Sequence, residues 1–271
     1  FSFNWHSNIG VSTPTVGNLK AKFIHNHSFS LGSKVGKGFY NVSAFYRKID
    51  NPVPGNGNDA LGVRLKFETK GNPIFWFGMN ASASVQKQNA QTTTQMYGAP
   101  SMGLALRGIE PKGYYNTVDG WAKDYDDYSD IYRGSGAAWL QINFLPILKW
   151  KTDLSFDYQS ASRYIWFDEG TEFGLEQNRA AGMTVASLFD FNVKSVLDYT
   201  QYVAEKHKLH ASAGVELNGN DNRYNILNGT NYFTDILRVK GFSLKGSGNE
   251  AMWMHKDYRT LGIFAELGYD F

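Results

Sequence analysis

The chain has 271 residues, a formal net charge of +2 and no cysteine. So even a charge balance argues against nucleic acid, whose binders carry a strong basic patch, and the lack of Cys excludes disulfides, thiolate metal sites and thiol catalysis. Aromatic residues make up 15% and charged residues 19%, which excludes a disordered chain and favours strands over helices.

No apolar run approaches the roughly 18 residues that a spanning helix needs. The chain is therefore either soluble or crosses a membrane as a barrel. The opening Phe1-Ser2-Phe3-Asn4-Trp5 has neither a basic n-region nor an apolar h-region, so it is not a signal peptide. It reads as mid-strand, as in a chain that starts inside a larger protein or after processing.

Phe1, Phe3, Trp5 and Ile9 alternate with Ser2, Asn4, His6 and Asn8, and a turn-like stretch with Pro14 follows. Leu19 to Leu31 is extended, and Ser33 to Gly38 turns the chain. Phe39 to Ile49 returns with Tyr40, Val42, Ala44 and Tyr46 on one face. A breaker-rich loop holds Pro52, Pro54, Gly55 and Gly57. Leu61, Val63, Leu65 and Phe67 then oppose Gly62, Arg64, Lys66 and Glu68, a complete split of apolar from polar. After a tight turn at Gly71 to Pro73, Ile74 to Gln88 forms the next strand. A long polar region runs to about Gly136, and extended structure resumes from Trp139 to Phe144.

Past a short turn at Pro146, Leu154, Phe156 and Tyr158 oppose Asp153, Ser155 and Asp157. Another long connection leads to a strand within Met183 to Tyr202. A turn near Lys206 precedes Leu209 to Leu217, and the longest remaining loop precedes Thr260 to Phe271. In that last strand Ile263, Ala265, Leu267, Tyr269 and Phe271 share a face. A strand that ends on an aromatic residue is similar to the C-terminal signal of bacterial outer-membrane proteins.

The connections alternate. Short turns fall near Gly36, Gly71, Pro146 and Lys206, and long loops lie near residues 49–60, 88–136, 160–182 and 218–258. Short turns on one side and long loops on the other are the habit of an antiparallel transmembrane β-barrel. About ten strands of roughly ten residues have the length that tilted spanning strands need. The mean hydropathy of −0.40 fits, because only every second residue would meet lipid. The whole chain, 1–271, reads as one all-β barrel segment.

Asn4-Trp5, then Asn26-His27-Ser28-Phe29-Ser30-Leu31, then Gly38-Phe39-Tyr40-Asn41-Val42-Ser43-Ala44-Phe45-Tyr46, resemble the early barrel hairpins of SusC/RagA-like TonB-dependent transporters. Leu148-Lys149-Trp150-Lys151-Thr152-Asp153-Leu154 is similar to a later hairpin of that family. His207-Lys208-Leu209 with Gly214-Val215-Glu216 resembles its H-x-L…G-x-E strand, and Leu261 to Phe271 a strand after the next long loop. The resemblance implies a Gram-negative outer-membrane location, import of glycans or peptides with energy from TonB, and a SusD-like surface lipoprotein as lid. It also implies a barrel of about 22 strands, of which this chain would be an internal part. The family's plug and TonB box have no counterpart in these residues. The other reading of the same pattern is a complete small barrel serving as a structural or interaction subunit of an envelope complex.

One loop is crowded with aromatic and acidic residues. Trp121, Tyr125, Asp126, Asp127 and Tyr128 are candidates for ligand capture, the rings stacking on sugars or peptides and the carboxylates accepting hydrogen bonds. Their spacing matches no EF-hand loop. His25 and His27 lack an evident third metal ligand. No nucleophile elbow, P-loop or H-E-x-x-H motif occurs, so no cofactor or catalytic centre is assigned. Carboxylates such as Asp168 and Glu169 fall in loops, where spacing alone makes no glycosidase pair.

Overall fold

The computed structural model describes residues 1–13, 21–50, 57–89, 125–169, 175, 177–203, 207–236 and 250–271, with Tyr125 described by its backbone alone. Ten strands form one sheet: β1 (Ser2–Ser12), β2 (Lys22–Val35), β3 (Gly38–Asp50), β4 (Gly57–Thr69), β5 (Phe75–Asn89), β6 (Tyr125–Leu145), β7 (Leu148–Phe167), β8 (Ala180–Val203), β9 (His207–Thr230) and β10 (Glu250–Asp270). Each pairs antiparallel with the next in chain order. The all-β meander expected from the alternation is what forms.

The register turns that alternation into two faces. Tyr40, Phe67, Met79, Ala138, Leu154, Val193, Leu217 and Leu261 lie in one continuous cross-strand row. The adjacent row, on the opposite face, is Asn41, Lys66, Asn80, Ala137, Ser155, Asn192, Asn218 and Thr260. A slip of one residue at any strand would put polar side chains among apolar ones, so the two faces hold the register.

Away from the loop-side end, nothing among the described residues covers the apolar face. Ile263 is 80% exposed and Leu267 86%, and Leu61, Leu65, Met79 and Leu154 are exposed as well. A water-soluble sheet would bury this side against a second layer. Glycines let aromatic rings lie flat on the sheet. An added Cβ at Gly136 would come 2.5 Å from the ring of Phe156, its direct cross-strand partner. Gly78 stands in the same relation to Trp139. These glycines accommodate rings rather than break strands.

β1 and β10 each pair on one side only, and among the described residues they do not pair with each other. The sheet is an open arc and not the closed ten-stranded barrel of the second sequence reading.

The strand ends joined by short connections, Val35 to Gly38, Thr69 to Phe75, Leu145 to Leu148 and Val203 to His207, lie along one side of the sheet, and those joined by long ones along the other. Gly36 sits in the two-residue turn between β2 and β3, with a φ of 60° that suits glycine. The strand lengths differ from expectation. β1 to β5 have 11 to 15 residues, but β6 to β10 have 20 to 24. β6 starts at Tyr125 rather than near Trp139, β7 and β9 run on to Phe167 and Thr230, and β10 starts at Glu250. These strands are about twice as long as a bilayer requires. Their loop-side halves stand beyond it, where neither face needs to meet lipid, so the period-two pattern that marks a strand is lost there.

In lipid or detergent, Leu65→Arg on the uncovered apolar face is expected to destabilise the sheet by about 2–4 kcal/mol. Asn80→Arg on the opposite face is expected to shift stability by under about 0.5 kcal/mol. Urea unfolding midpoints of the two variants check this.

Candidate functional site

Two regions gather polar chemistry: the loop-side ends of β6 to β9 and the polar face of the sheet. At the loop end, Arg163 on β7 and Asp127 on β6 sit diagonally across the ladder. Arg163 Nε donates to Asp127 Oδ1 at 2.8 Å, and Nη2 to Oδ2 at 2.5 Å. Their side chains are 6% and 1% exposed. A two-pronged pair this dry keeps its charges together because water cannot solvate either one alone.

The buried hydrophobic residues collect around this pair. Ile131, Ala161, Ile165, Phe167, Ala180, Ala186, Tyr224 and Ile226 all lie in the loop-side halves of β6 to β9. On the other face Trp166 faces its partner Ala181, and Tyr232 closes over them with ring centroids 5.4 Å from Trp166. Here the sheet is buried on both sides, like a small soluble domain.

Two connections are tied together across this knot. Tyr232 N donates to Asn178 O at 2.9 Å, and Asn231 N to Arg179 O at 3.0 Å. Arg179 holds a left-handed φ of 67°, a conformation costly for a long side chain. It is fixed there by Asp168 and Glu169, each 3.0 Å away, and by a bond to Tyr232 O at 3.1 Å. Asp168 and Glu169 are thus a structural clamp. Burial pushes the Tyr232 phenol above its ordinary value.

The candidate capture residues are divided by this geometry. Trp121 lies outside the described residues, and Tyr125 is placed only as the first residue of β6. Asp127 pairs with Arg163. Tyr128 points to the opposite face and stacks on its cross-strand partner Tyr164 at 5.0 Å. Asp126 is half-buried beside it. The partner missed in the sequence is Arg163, which carries no motif and is found only through the register.

The polar face holds two hollows. One, of about 900 Å³, lies under β1 to β6 and is lined by Asn4, His6, Arg64, Arg133 and six serines. The other, of about 360 Å³, lies under β7 to β10 and is lined by Asp157, Asp190, Asn192, Asn218 and Tyr258. Arg133 Nη2 donates to Asp157 Oδ2 at 2.7 Å and so bridges the two. Asn192 donates to Glu216 at 2.7 Å, and Asn220 to Asp190 at 2.5 Å. The hollows place the polar face on the inside of the arc.

His25 and His27 are on the outward face, in a ladder of stacked rings from Phe23 to Tyr46. Among the described residues no three His, Asp or Glu side chains gather as a metal site.

No protein-family model matches the chain, and no curated protein matches its sequence. Solved structures do match its fold. The RagAB peptide transporter superposes with a TM-score of 0.71 at 16% identity, over 93% of this chain and 31% of that chain. The ferric citrate transporter FecA in its unliganded form gives 0.60 at 9% identity, over 98% and 38%. The siderophore receptor PiuA from Acinetobacter baumannii gives 0.59 at 7% identity, over 98% and 40%. This chain thus spans under half the length of each of these three chains. At these identities the likeness is one of fold: an arc of an outer-membrane β-barrel of the kind found in TonB-dependent transporters. That is the fold that the SusC/RagA-like resemblance in the sequence implies.

Removing one member of the buried pair strands the other. Asp127→Ala or Arg163→Ala is expected to cost about 3–5 kcal/mol at the loop end. The double replacement Asp127→Leu with Arg163→Met is expected to recover most of it. Limited proteolysis of β6 and β7, read by mass spectrometry, checks both.

The raised phenol of Tyr232 has a sign that can be tested. The fold favours the neutral form, so this contribution is fully present below the unfolded value of about 10. It is lost as pH rises through the higher folded value. Hydrogen exchange at residues 177–179 and 231–232 is expected to speed up above about pH 10 more than in Tyr232→Phe.

Proposed function

We propose that this chain forms part of the lumen wall and outer rim of a SusC-like TonB-dependent importer in a Gram-negative outer membrane. Its cargo would be glycans or peptides. The observation that carries this reading is the two-faced arc: an uncovered apolar outer side, and an inner side furnished with hydroxyls, amides and paired charges. Apolar residues suit lipid, and the polar inner side suits a hydrated path for polar cargo. The match to the RagAB peptide transporter over 93% of the chain supports the same reading.

The loop-side halves of β6 to β10 form the rim. The buried pair and the clamp around Arg179 hold this rim in one shape, as a surface that must receive a lid requires. A SusD-like surface lipoprotein would seat there, by the sequence resemblance. The stretch from Trp121 through Tyr125, Asp126, Asp127 and Tyr128 is proposed as the first contact for cargo. Within it Asp127 acts by holding Arg163, and the Tyr128 ring is stacked on Tyr164. Coupling to TonB is assigned to no residue of this chain.

The test is uptake by the full-length protein in its own outer membrane. Labelled oligosaccharides and peptides are supplied with TonB present or deleted. Uptake of one class that disappears with TonB fits the proposal, and uptake that persists without TonB overturns it. A Ser84→Cys variant, read by mass spectrometry on the peptide that carries it, reports occupancy of the larger hollow. Bound cargo is expected to slow its maleimide labelling.

A further inference from the structure

The two hollows of the inner face differ in the charge that lines them. The hollow under β1 to β6 is lined by Arg64 and Arg133 and by no carboxylate. The hollow under β7 to β10 is lined by Asp157 and Asp190 and by no Lys or Arg. Where the two meet, Arg133 is taken up by Asp157. Arg64 is not taken up: among the described residues it has no acidic partner. Its cross-strand partners are Ser43 and Ser82, and Lys66 is the next residue on its face. The nearest acid on that face of β4, Glu68, pairs with Lys70 at 3.5 Å.

We propose that Arg64 is the anchor of a carboxylate-binding site on the lumen wall, and that it selects acidic cargo. This deepens the transport reading and rests on it. A guanidinium presents two parallel N–H groups that match the two oxygens of a carboxylate. Ser43 and Ser82 flank it with hydroxyls, and Ser82 Oγ already lies 2.7 Å from Ser135 Oγ. Rotation of those hydroxyls supplies donors for the remaining lone pairs. The hollow's volume of about 900 Å³ is enough for a short oligomer rather than a single ion. A neutral sugar or amide finds hydrogen bonds there, but it leaves the positive charge of Arg64 without a counterpart. The carboxylate could belong to a uronic-acid sugar or to an acidic side chain of a peptide.

The experiment uses the full-length protein in detergent at low salt, with four probes. Trigalacturonate is compared with maltotriose, and N-acetyl-Glu-Glu-Glu-amide with N-acetyl-Gln-Gln-Gln-amide. In one of the two pairs the acidic member is expected to bind about tenfold or more tightly than its neutral twin. Arg64→Gln is expected to bring that ratio close to one, and Arg64→Lys to keep a good part of it. Heat-modifiability on a gel confirms that each variant is folded. Equal binding of acidic and neutral twins overturns the anion site and leaves cargo binding standing. A ratio untouched in Arg64→Gln overturns the role of Arg64. Binding of none of the four probes overturns both this site and the transport reading beneath it.

Discussion

The backbone hydrogen-bond ladder is what everything else in this chain obeys. In hydrocarbon no water replaces a missing partner, so each N–H and C=O of a spanning strand must be met by its neighbour. The nine antiparallel pairings do this for the interior strands without a bulge, apart from one irregularity at Asn143 and Leu145. Once the ladder is in place, the pleat decides the rest. Odd and even positions part company, and the row from Tyr40 to Leu261 becomes an outer wall while the row from Asn41 to Thr260 becomes an inner one. No packed core of the usual kind is needed along most of the strands, because the apolar side is stabilised by whatever apolar solvent surrounds it.

The loop-side end follows a different rule. There the strands leave the region where lipid solvates one face, and they need a core of their own. The chain supplies one by covering both faces. Trp166, Ala181 and Tyr232 pack on one side, and Ile165, Phe167, Ala180 and Ile226 lie on the other with the Asp127–Arg163 pair. The cost of burying two charges is offset by their mutual geometry. What results is a definite arrangement of hairpins rather than extra stability. The left-handed backbone at Asn178, Arg179 and Asn231 belongs to the same device, because it brings two separate connections within hydrogen-bonding reach.

The difference between these two zones explains what could be read from sequence. Where one face meets lipid, the alternation in Leu61 to Glu68 or Thr260 to Phe271 identifies a strand and tells which side is outer. The strand count and the placing of short and long connections follow from it. At the loop end, stretches such as Tyr125 to Ala138 put Asp and Tyr on both faces. A strand with two buried or two wet faces has no period of two, so it read as loop. Arg163 was invisible for a related reason: its partner lies 36 positions away, and only the register sets them side by side. Arg64 is in plain view in the polar half of a clear strand, but that it meets no acidic partner among the described residues is a fact about neighbouring strands.

The two bare edges carry the remaining weight of the transport reading. β10 is exposed along nearly its whole length, and β1 is exposed on both faces through most of its residues. In water such edges invite pairing with any free strand. In a membrane they are untenable, since a row of unmet N–H and C=O groups would face hydrocarbon. An arc with an apolar outer wall is therefore stable in lipid only when further strands meet both edges and close the cylinder. Closure also gives the charges of the inner face their meaning. On an open sheet the charges of Arg64, Asp157 and Asp190 would face bulk water and be screened within about 10 Å. Enclosed by a wall, the same charges act across a confined path, with Arg64 set beside Asp157 and Asp190 in one cross-strand row.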